Sequence, residues 1–188
     1  MHLIRRSQAG DEEAFAALFQ QYKNLVYKTA YLMLSNTNEA EDALQEVFVR
    51  VHQSLHTFDP RKGAFTTWLH RITVNYCLNY RRKRRLSLLP LDEVSPTSLT
   101  GRSPSGPTAE EEAVQQAVSG LSEKQRSVVV LRYYWELSYA EIAQILSIPL
   151  GTVKSRLNLA LKILRRELEK DTEEVPSQAH LRRQEGCR

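Results

Sequence analysis

Residues 138–166, with the sequence SYAEIAQILSIPLGTVKSRLNLALKILRR, decide the fold of the C-terminal half of this chain. A capping-box pattern at Ser138 opens a short helix, Tyr139–Leu146. Ser147-Ile148-Pro149 then predicts a turn, and a longer helix follows from Leu150 to about Glu169. A short helix, a tight turn and a longer helix are the layout of a helix-turn-helix.

The longer helix combines an apolar stripe with a basic surface. The stripe predicted to face the core consists of Val153, Leu157, Leu161, Leu164 and Leu168. In DNA-binding helix-turn-helix proteins, the first residues of the second helix reach base edges in the major groove. The candidate contacts offer close approach, hydroxyl, amide or cationic groups: Gly151, Thr152, Lys154, Ser155, Arg156 and Asn158. A solvated basic face on an ordinary amphipathic helix is the alternative interpretation.

The remaining periodic segments are also helical. An apolar stripe from Phe15 to Met33 predicts one helix, and a second runs from about Glu39 to Leu55 with Asn38 as its N-cap. A third runs from about Phe65 to Arg85. In the C-terminal half, Glu110–Ser119 is a short helix, and a capping box at Ser122 opens another that ends near Trp135. No strand pattern competes, so the predicted fold class is all-α.

Composition places the domain boundaries. Between Ser95 and Thr108, 12 of 14 residues are Ser, Thr, Pro or Gly, and such a segment buries too little apolar surface to order itself. We therefore predict an N-terminal domain over residues 1–85, a flexible linker over 86–108, a C-terminal domain over 109–170 and a polar, disordered tail over 171–188.

Composition also excludes several classes of protein. The 188 residues carry a net charge of +4 and are 41% apolar, and no apolar run is long enough for an export signal or a membrane span. Cys77 and Cys187 cannot form a disulfide scaffold, and His52 and His56 lack a third metal ligand. No phosphate loop, nucleophile elbow or catalytic carboxylate pair occurs. We expect a soluble cytoplasmic protein that is not an enzyme and has no cofactor, metal or small-molecule substrate.

The third helix has a polar stripe and a basic end. Its stripe consists of Trp68, Arg71, Asn75, Asn79 and Arg82, and it ends in five cations, residues 81–85. The loop before it contains Phe58, Asp59, Arg61 and Lys62. Amides and cations beside a loop can hold single-stranded nucleic acid, with bases in pockets and phosphates neutralised. The alternative is that the five cations serve only to stabilise the C-terminal end of the helix, where the helix dipole favours positive charge.

The second helix has an acidic face. Glu39, Asp42 and Glu46 recur at helical spacing, with Gln45 beside them. Because carboxylates repel phosphate, this face suits a protein partner with basic groups. A solvated helix surface is the alternative.

In this order, the motifs resemble those of bacterial RNA polymerase sigma factors of the extracytoplasmic-function group. The resemblance covers residues 10–170. It rests on the first helix, Asp11–Leu34, on Glu39–Phe48 (EAEDALQEVF), on Phe65–Ile72 (FTTWLHRI) with Asn75, and on the segment from Leu121 to Leu157 that ends in GTVKSRL.

The resemblance implies roles for each segment. Glu39, Asp42, Gln45 and Glu46 would dock on the clamp helices of the largest subunit of core RNA polymerase, and the C-terminal domain would approach the flap of the second-largest subunit. The loop Phe58–Ala64 and the Asn75 face would capture the melted −10 strand, while Leu150–Arg166 would read the −35 duplex of promoter DNA. Members of this group are commonly held inactive by an anti-sigma factor, often a membrane-bound one.

One departure leaves the −35 sequence open. Relatives often have cations where this chain has Leu159 and Leu161. Leu161 continues the apolar stripe, whereas Leu159 could contact a thymine methyl group or a partner protein. Two other functions stay open: a dimeric helix-turn-helix regulator that does not replace the sigma subunit, and a protein-interaction adaptor.

Overall fold

The computed structural model describes residues 2–87 and 108–173, and it confirms the all-α prediction, since neither range contains a strand. Within them the helices are α1 His2–Gln8, α2 Glu12–Leu34, α3 Thr37–Ser54, α4 Phe65–Ser87, α5 Ala109–Ser119, α6 Glu123–Val129, α7 Tyr139–Leu146 and α8 Leu150–Glu173. A 3₁₀ turn, Leu55–Thr57, extends α3, and a π-helical turn, Val130–Tyr134, extends α6.

Helices α1–α4 form an N-terminal unit around a core shared by α2, α3 and α4. Asn36 starts α3, because its backbone is extended and its Oδ1 accepts a hydrogen bond from the Glu39 amide at 3.0 Å. The predicted cap, Asn38, was therefore wrong: it lies inside the first turn of the helix. The side chains that close the core are fully buried: Val26, Leu32, Val47, Val51 and Leu69.

Helix α1 was not predicted, and it anchors the loop between α3 and α4. The side chain of Gln8 donates hydrogen bonds to the carbonyls of Leu55 and Phe58, both at 2.9 Å. Ile4 is buried in the same core as Leu55 and Phe58. The short N-terminal helix thus holds the start of the loop that precedes α4.

Helices α5–α8 form a C-terminal unit, and both predicted capping boxes are present. At the start of α7 the Ser138 hydroxyl accepts from the Glu141 amide at 3.2 Å, and the Glu141 carboxylate accepts from the Ser138 amide at 2.8 Å. The Ser138 hydroxyl also donates to the Glu141 carboxylate at 2.7 Å, and this bond together with the one from the Ser138 amide lowers the pKa of Glu141. Helix α8 continues to Glu173, three residues into the predicted tail. The rest of that tail and linker residues 88–107 lie outside the described residues.

The two units pack against each other through a continuous apolar core. Met33 and Leu34, at the end of α2, belong to the same buried cluster as Val118, Leu121 and Val128 of the C-terminal unit. The sequence predicted two helical domains, and the structure adds that they share a packed interface.

Candidate functional site

The helix-turn-helix presents the polar side of α8 outward. Ser147, the first residue of the turn, has a left-handed backbone that ends α7, and α8 begins three residues later. The buried face of α8 consists of Val153, Leu157 and Ala160. The predicted duplex contacts lie on the other side: Gly151, Lys154, Ser155 and Asn158 are exposed, and Thr152 and Arg156 are half-buried.

The predicted core position of Leu161 was wrong. Leu161 is 41% exposed, and Ala160 occupies the buried place instead. At 100° per residue, position 160 follows Val153 and Leu157 around the core side of α8, whereas position 161 is turned toward its flank. Leu159 is 55% exposed on the outward side, so the two leucines present apolar surface on a basic helix.

An aromatic cluster supports the loop between α3 and α4. The ring of Phe58 packs 5.3 Å from Phe65 and 5.5 Å from Trp68, measured between ring centroids. Phe58 is only 6% exposed, so it forms the base of a cleft rather than a free surface. The half-buried Trp68 and exposed Lys62 also line this cleft, which has a volume of about 560 Å³.

Asp59 and Arg61 fix the loop in a tight conformation. The Asp59 carboxylate accepts from the Arg61 amide at 3.0 Å and from its guanidinium at 2.9 Å. This pairing lowers the pKa of Asp59 to about 2. Both groups are therefore ionised at neutral pH, and much of the Arg61 charge is balanced within the loop.

The polar stripe of α4 runs away from this cleft. Arg71, Asn75, Asn79 and Arg82 are exposed along it, as the sequence predicted. The basic end of α4 is divided between two environments. The half-buried Arg81 donates to the Met33 carbonyl at 3.1 Å, whereas Arg82, Arg84 and Arg85 are exposed, and of these Arg84 pairs with Glu39.

The acidic face of α3 is likewise divided. Asp42, Gln45 and Glu46 are exposed, whereas the half-buried Glu39 forms an ion pair with Arg84 of α4. The sequence did not reveal an apolar groove next to Gln45. It has a volume of about 320 Å³, and its lining includes Phe15, Phe19, Phe48, Val49 and His52.

The buried titratable groups of α4 do not form a reactive site. Burial raises the pKa of the Cys77 thiol to about 12, so its reactive thiolate is not populated at neutral pH. Burial lowers the pKa of His70 to about 4, which keeps the imidazole neutral. Across residues 2–87 and 108–173, no three His, Cys, Asp or Glu side chains are grouped to hold a metal, and no helix has the length and apolarity to cross a membrane.

Sequence reasoning missed Arg126, whose side chain is buried between the two units. Its guanidinium donates to the Val118 and Ser119 carbonyls in α5, to the Met33 carbonyl in α2 and to the Ser35 hydroxyl. Burial and the nearby Arg81 lower its pKa to about 10, so the group stays charged at neutral pH. No local sequence pattern marks it, because two of its partners lie more than 90 positions away.

Family models match both units. The model of sigma-70 region 2 covers residues 18–86, and the model of sigma-70 region 4 covers residues 111–164. These ranges include α3, nearly all of α4, α7 and most of α8, which carry the surfaces described above.

Curated relatives match over nearly the whole chain. The ECF RNA polymerase sigma factor SigW of Bacillus subtilis is 36% identical over 177 residues, which span 88% of this chain and 94% of SigW. The ECF RNA polymerase sigma factor RpoE of Cereibacter sphaeroides is 32% identical over 168 residues, spanning 84% of this chain and 88% of the relative.

Solved structures share the fold. CnrH, solved in complex with the cytosolic domain of CnrY, superposes with a TM-score of 0.66 at 24% identity, covering 90% of this chain and 96% of CnrH. RpoE of Bartonella quintana, solved with the anti-sigma factor NepR, superposes with a TM-score of 0.65 at 22% identity, covering 84% of this chain and 98% of that RpoE chain. Together with the family models and the relatives, the fold shows that this chain belongs to the extracytoplasmic-function (ECF) group of sigma-70 family RNA polymerase sigma factors.

Proposed function

We propose that this sigma factor directs initiation through three surfaces, each built on a different helix. The exposed acidic face of α3 docks on core polymerase, the cleft and polar stripe of α4 hold the melted −10 strand, and α8 reads the −35 duplex. The polymerase performs the chemistry, and the sigma factor supplies position and strand capture.

The observation that carries this proposal is the division of α8 into two faces. Val153, Leu157 and Ala160 are buried, so the helix cannot rotate without exposing its core side. That rigid packing fixes Lys154 and Ser155 outward at the start of the helix, where recognition helices contact base edges and the neighbouring phosphates.

The −10 surface follows from the cleft at the loop and the stripe on α4. Trp68 offers an aromatic wall on which a base can stack, and Arg71 and Lys62 offer charge to the phosphates. Asn75 and Asn79 lie exposed farther along α4, and each amide side chain can pair with a base edge. The paired Asp59 and Arg61 hold the loop in place for an incoming strand.

The polymerase surface consists of Asp42, Gln45 and Glu46. The polymerase groups that we propose for it are the clamp helices of the largest subunit, and the C-terminal unit would lie near the flap of the second-largest. Glu39 serves this surface indirectly, since its pairing with Arg84 joins α3 to α4.

We also propose that an anti-sigma factor holds the chain inactive in the cytoplasm, at the membrane where that factor is membrane-bound. Support comes from the fold neighbours, since CnrH was solved with the cytosolic domain of CnrY and RpoE with the anti-sigma factor NepR.

Run-off transcription with purified core RNA polymerase tests the proposal. A pool of promoter fragments is transcribed with and without the protein, and we expect specific transcripts only in its presence. Failure to bind core polymerase in a pull-down, together with dimers in gel filtration, would instead favour an independent helix-turn-helix regulator.

A further inference from the structure

Helix α1 ends in a backbone motif that fixes the position of Gln8, its last residue. The Asp11 amide donates to the Arg6 carbonyl at 3.1 Å. The Gly10 amide donates to the Ser7 carbonyl at the same distance, and Gly10 has a φ of 89°. These features form a Schellman motif. The Arg6 guanidinium also donates to the Asp11 carboxylate at 2.6 Å, and Asp11 caps α2, so α1 has a defined orientation on α2.

The side-chain amide of Gln8 bonds to both ends of one turn. Its nitrogen donates to the carbonyls of Leu55 and Phe58, which lie 47 and 50 positions away, and both distances are 2.9 Å. The Leu55 carbonyl also accepts from the Phe58 amide at 3.0 Å, which closes the 3₁₀ turn over residues 55–57. A side-chain amide has two N–H donors, so Gln8 uses both of them on the start of the α3–α4 loop.

One of these two carbonyls belongs to the wall of the cleft. It is part of the peptide bond between Phe58 and Asp59, and both residues line the cleft. The Phe58 ring forms the floor, and the Asp59 carboxylate pairs with Arg61. A shift of this peptide bond would therefore move the ring on one side and the carboxylate on the other. None of the described residues that line the cleft belongs to α1, so Gln8 acts on a bound strand only through the loop.

Apolar contacts hold α1 against the same part of the loop. Ile4 is 5% exposed and belongs to the buried cluster that contains Leu55 and Phe58, and Leu3 packs against that cluster. Helix α1 thus supports the turn through both hydrogen bonds and apolar packing. The family model of region 2 begins at residue 18, so this support lies outside the residues that the model matches.

We propose that Gln8 is a positioning residue for capture of the −10 strand, because its two hydrogen bonds hold the Phe58–Asp59 peptide bond where the cleft accepts a base. The proposal rests on the −10 role given above to the cleft. A strand that meets a loop already in place loses less conformational entropy on binding. If loss of the two bonds leaves the loop in place in about one chain in ten, capture should weaken about tenfold.

Three substitutions at position 8 separate hydrogen bonding from packing. Gln8→Met keeps the length of the side chain and removes both donors. Gln8→Glu keeps its shape but places a carboxylate against two carbonyls. Gln8→Lys restores a donor on a longer side chain, so it should recover capture if donation matters and should be the poorest fit if only packing matters. Gln20→Met makes the first change at an exposed position of α2 and is the matched control.

Capture is measured with the complete chain bound to core polymerase, on two DNAs made from a promoter selected by run-off transcription. One DNA carries the −35 duplex and the non-template −10 strand as a single-stranded extension, and the other ends before the extension. The ratio of their affinities, from fluorescence anisotropy, separates capture from duplex binding and from assembly with polymerase. We expect Gln8→Met to lower this ratio about tenfold and Gln8→Glu to lower it further. Gln8→Lys and Gln20→Met should stay near wild type.

Hydrogen exchange in the free full-length chain reports on the loop directly. Gln8→Met should speed exchange of the amides in residues 55–64 and leave residues 40–51 of α3 unchanged, whereas Gln20→Met should change neither. Unchanged exchange of the loop in Gln8→Met would overturn the proposal, as would an unchanged affinity ratio. It would also fail if Gln8→Lys captures the strand no better than Gln8→Met. A wild-type affinity ratio near one would instead refute the −10 role of the cleft itself.

Discussion

Glu39 of α3 and Arg84 of α4 form an ion pair that joins the helix proposed to dock on polymerase to the helix proposed to hold DNA. The pair takes Glu39 out of the exposed acidic face, which leaves Asp42 and Glu46 as its free carboxylates. The sequence placed all three on one stripe, and the structure gives them different neighbours.

The first prediction follows from this division. Replacing Asp42 and Glu46 by Lys should abolish association with core polymerase, because it reverses the charge of an exposed surface without touching the core. The measurement is co-purification with core polymerase, with circular dichroism to confirm the helical fold. Glu39→Gln is the control, and it should retain association with a loss of stability of at most about 1 kcal/mol. Co-purification of the double variant would place the docking surface elsewhere.

A second prediction concerns the start of α8. Arg156→Ala should weaken binding to the −35 duplex by about 1–3 kcal/mol and relax the preference at one base pair, as expected for loss of a bidentate base contact. Lys154→Ala should weaken binding evenly across sequences. It should also reduce the slope of the logarithm of the binding constant against the logarithm of salt concentration by about 1, as expected for loss of one phosphate contact. Anisotropy titrations over a set of duplex variants and salt concentrations separate the two effects. Equal loss on every sequence for Arg156→Ala would contradict its role in base reading.

The stripe on α4 leads to a third prediction. Asn75 is exposed beyond the cleft, so Asn75→Ala should leave −35 duplex binding intact and impair the opening of promoter DNA. Permanganate reactivity of unpaired thymines in the polymerase–promoter complex measures opening directly. Gln53→Ala, an exposed amide on α3, is the matched control and should open promoter DNA normally. Parallel losses in duplex binding and opening would argue against strand capture by Asn75.

Sequence reasoning succeeded where the structure depends on neighbouring residues. The capping boxes at Ser122 and Ser138 lie within three residues of their partners, and both form as predicted. It failed where two local solutions compete: Asn36 and Asn38 both have side chains that can cap α3, and the extended backbone of Asn36 makes it the cap. At Leu161, hydrophobicity suggested burial, but the angular position on α8 favours the smaller Ala160.

The interface between the units could not be predicted from the sequence. Arg126 looks like an ordinary basic residue in an amphipathic helix, and only the folded chain brings the α2 and α5 ends to it. His70 and Trp135 lie 65 positions apart, and neither has a local pattern that points to the other. Contacts of this kind depend on how the units pack, which periodicity and capping do not encode.

His70 gives a fourth prediction, on pH. Its burial lowers its pKa to about 4, whereas an unfolded histidine titrates near 6.5. Between these values the unfolded chain binds more protons, so the free energy of unfolding falls as pH falls. Well above pH 6.5 this titration leaves the free energy of unfolding unchanged. At pH 5 it lowers the free energy of unfolding by about 2 kcal/mol, at about 1.36 kcal/mol per pH unit between the two pKa values. Urea unfolding at pH 7 and pH 5 measures it.

The control for this titration is another histidine. His70→Phe should remove most of the pH 5 loss, because the ring stays and the titrating group goes. His56→Gln, at an exposed site, should keep the loss seen in wild type. An unchanged pH dependence in His70→Phe would assign the effect to other groups.

The last prediction concerns Leu159, whose exposed side chain lies one turn after Ser155 on the outward side of α8. An apolar side chain at such a position can contact the C5-methyl group of thymine. Uracil lacks only that methyl, so uracil at the contacted position of the −35 duplex should weaken wild-type binding about fourfold, as expected for about 0.8 kcal/mol per buried carbon. Leu159→Ala should bind the thymine and uracil duplexes equally, whereas Leu161→Ala should still distinguish them. If uracil is tolerated at every thymine of the element, Leu159 does not read the duplex and its exposed surface serves a protein contact.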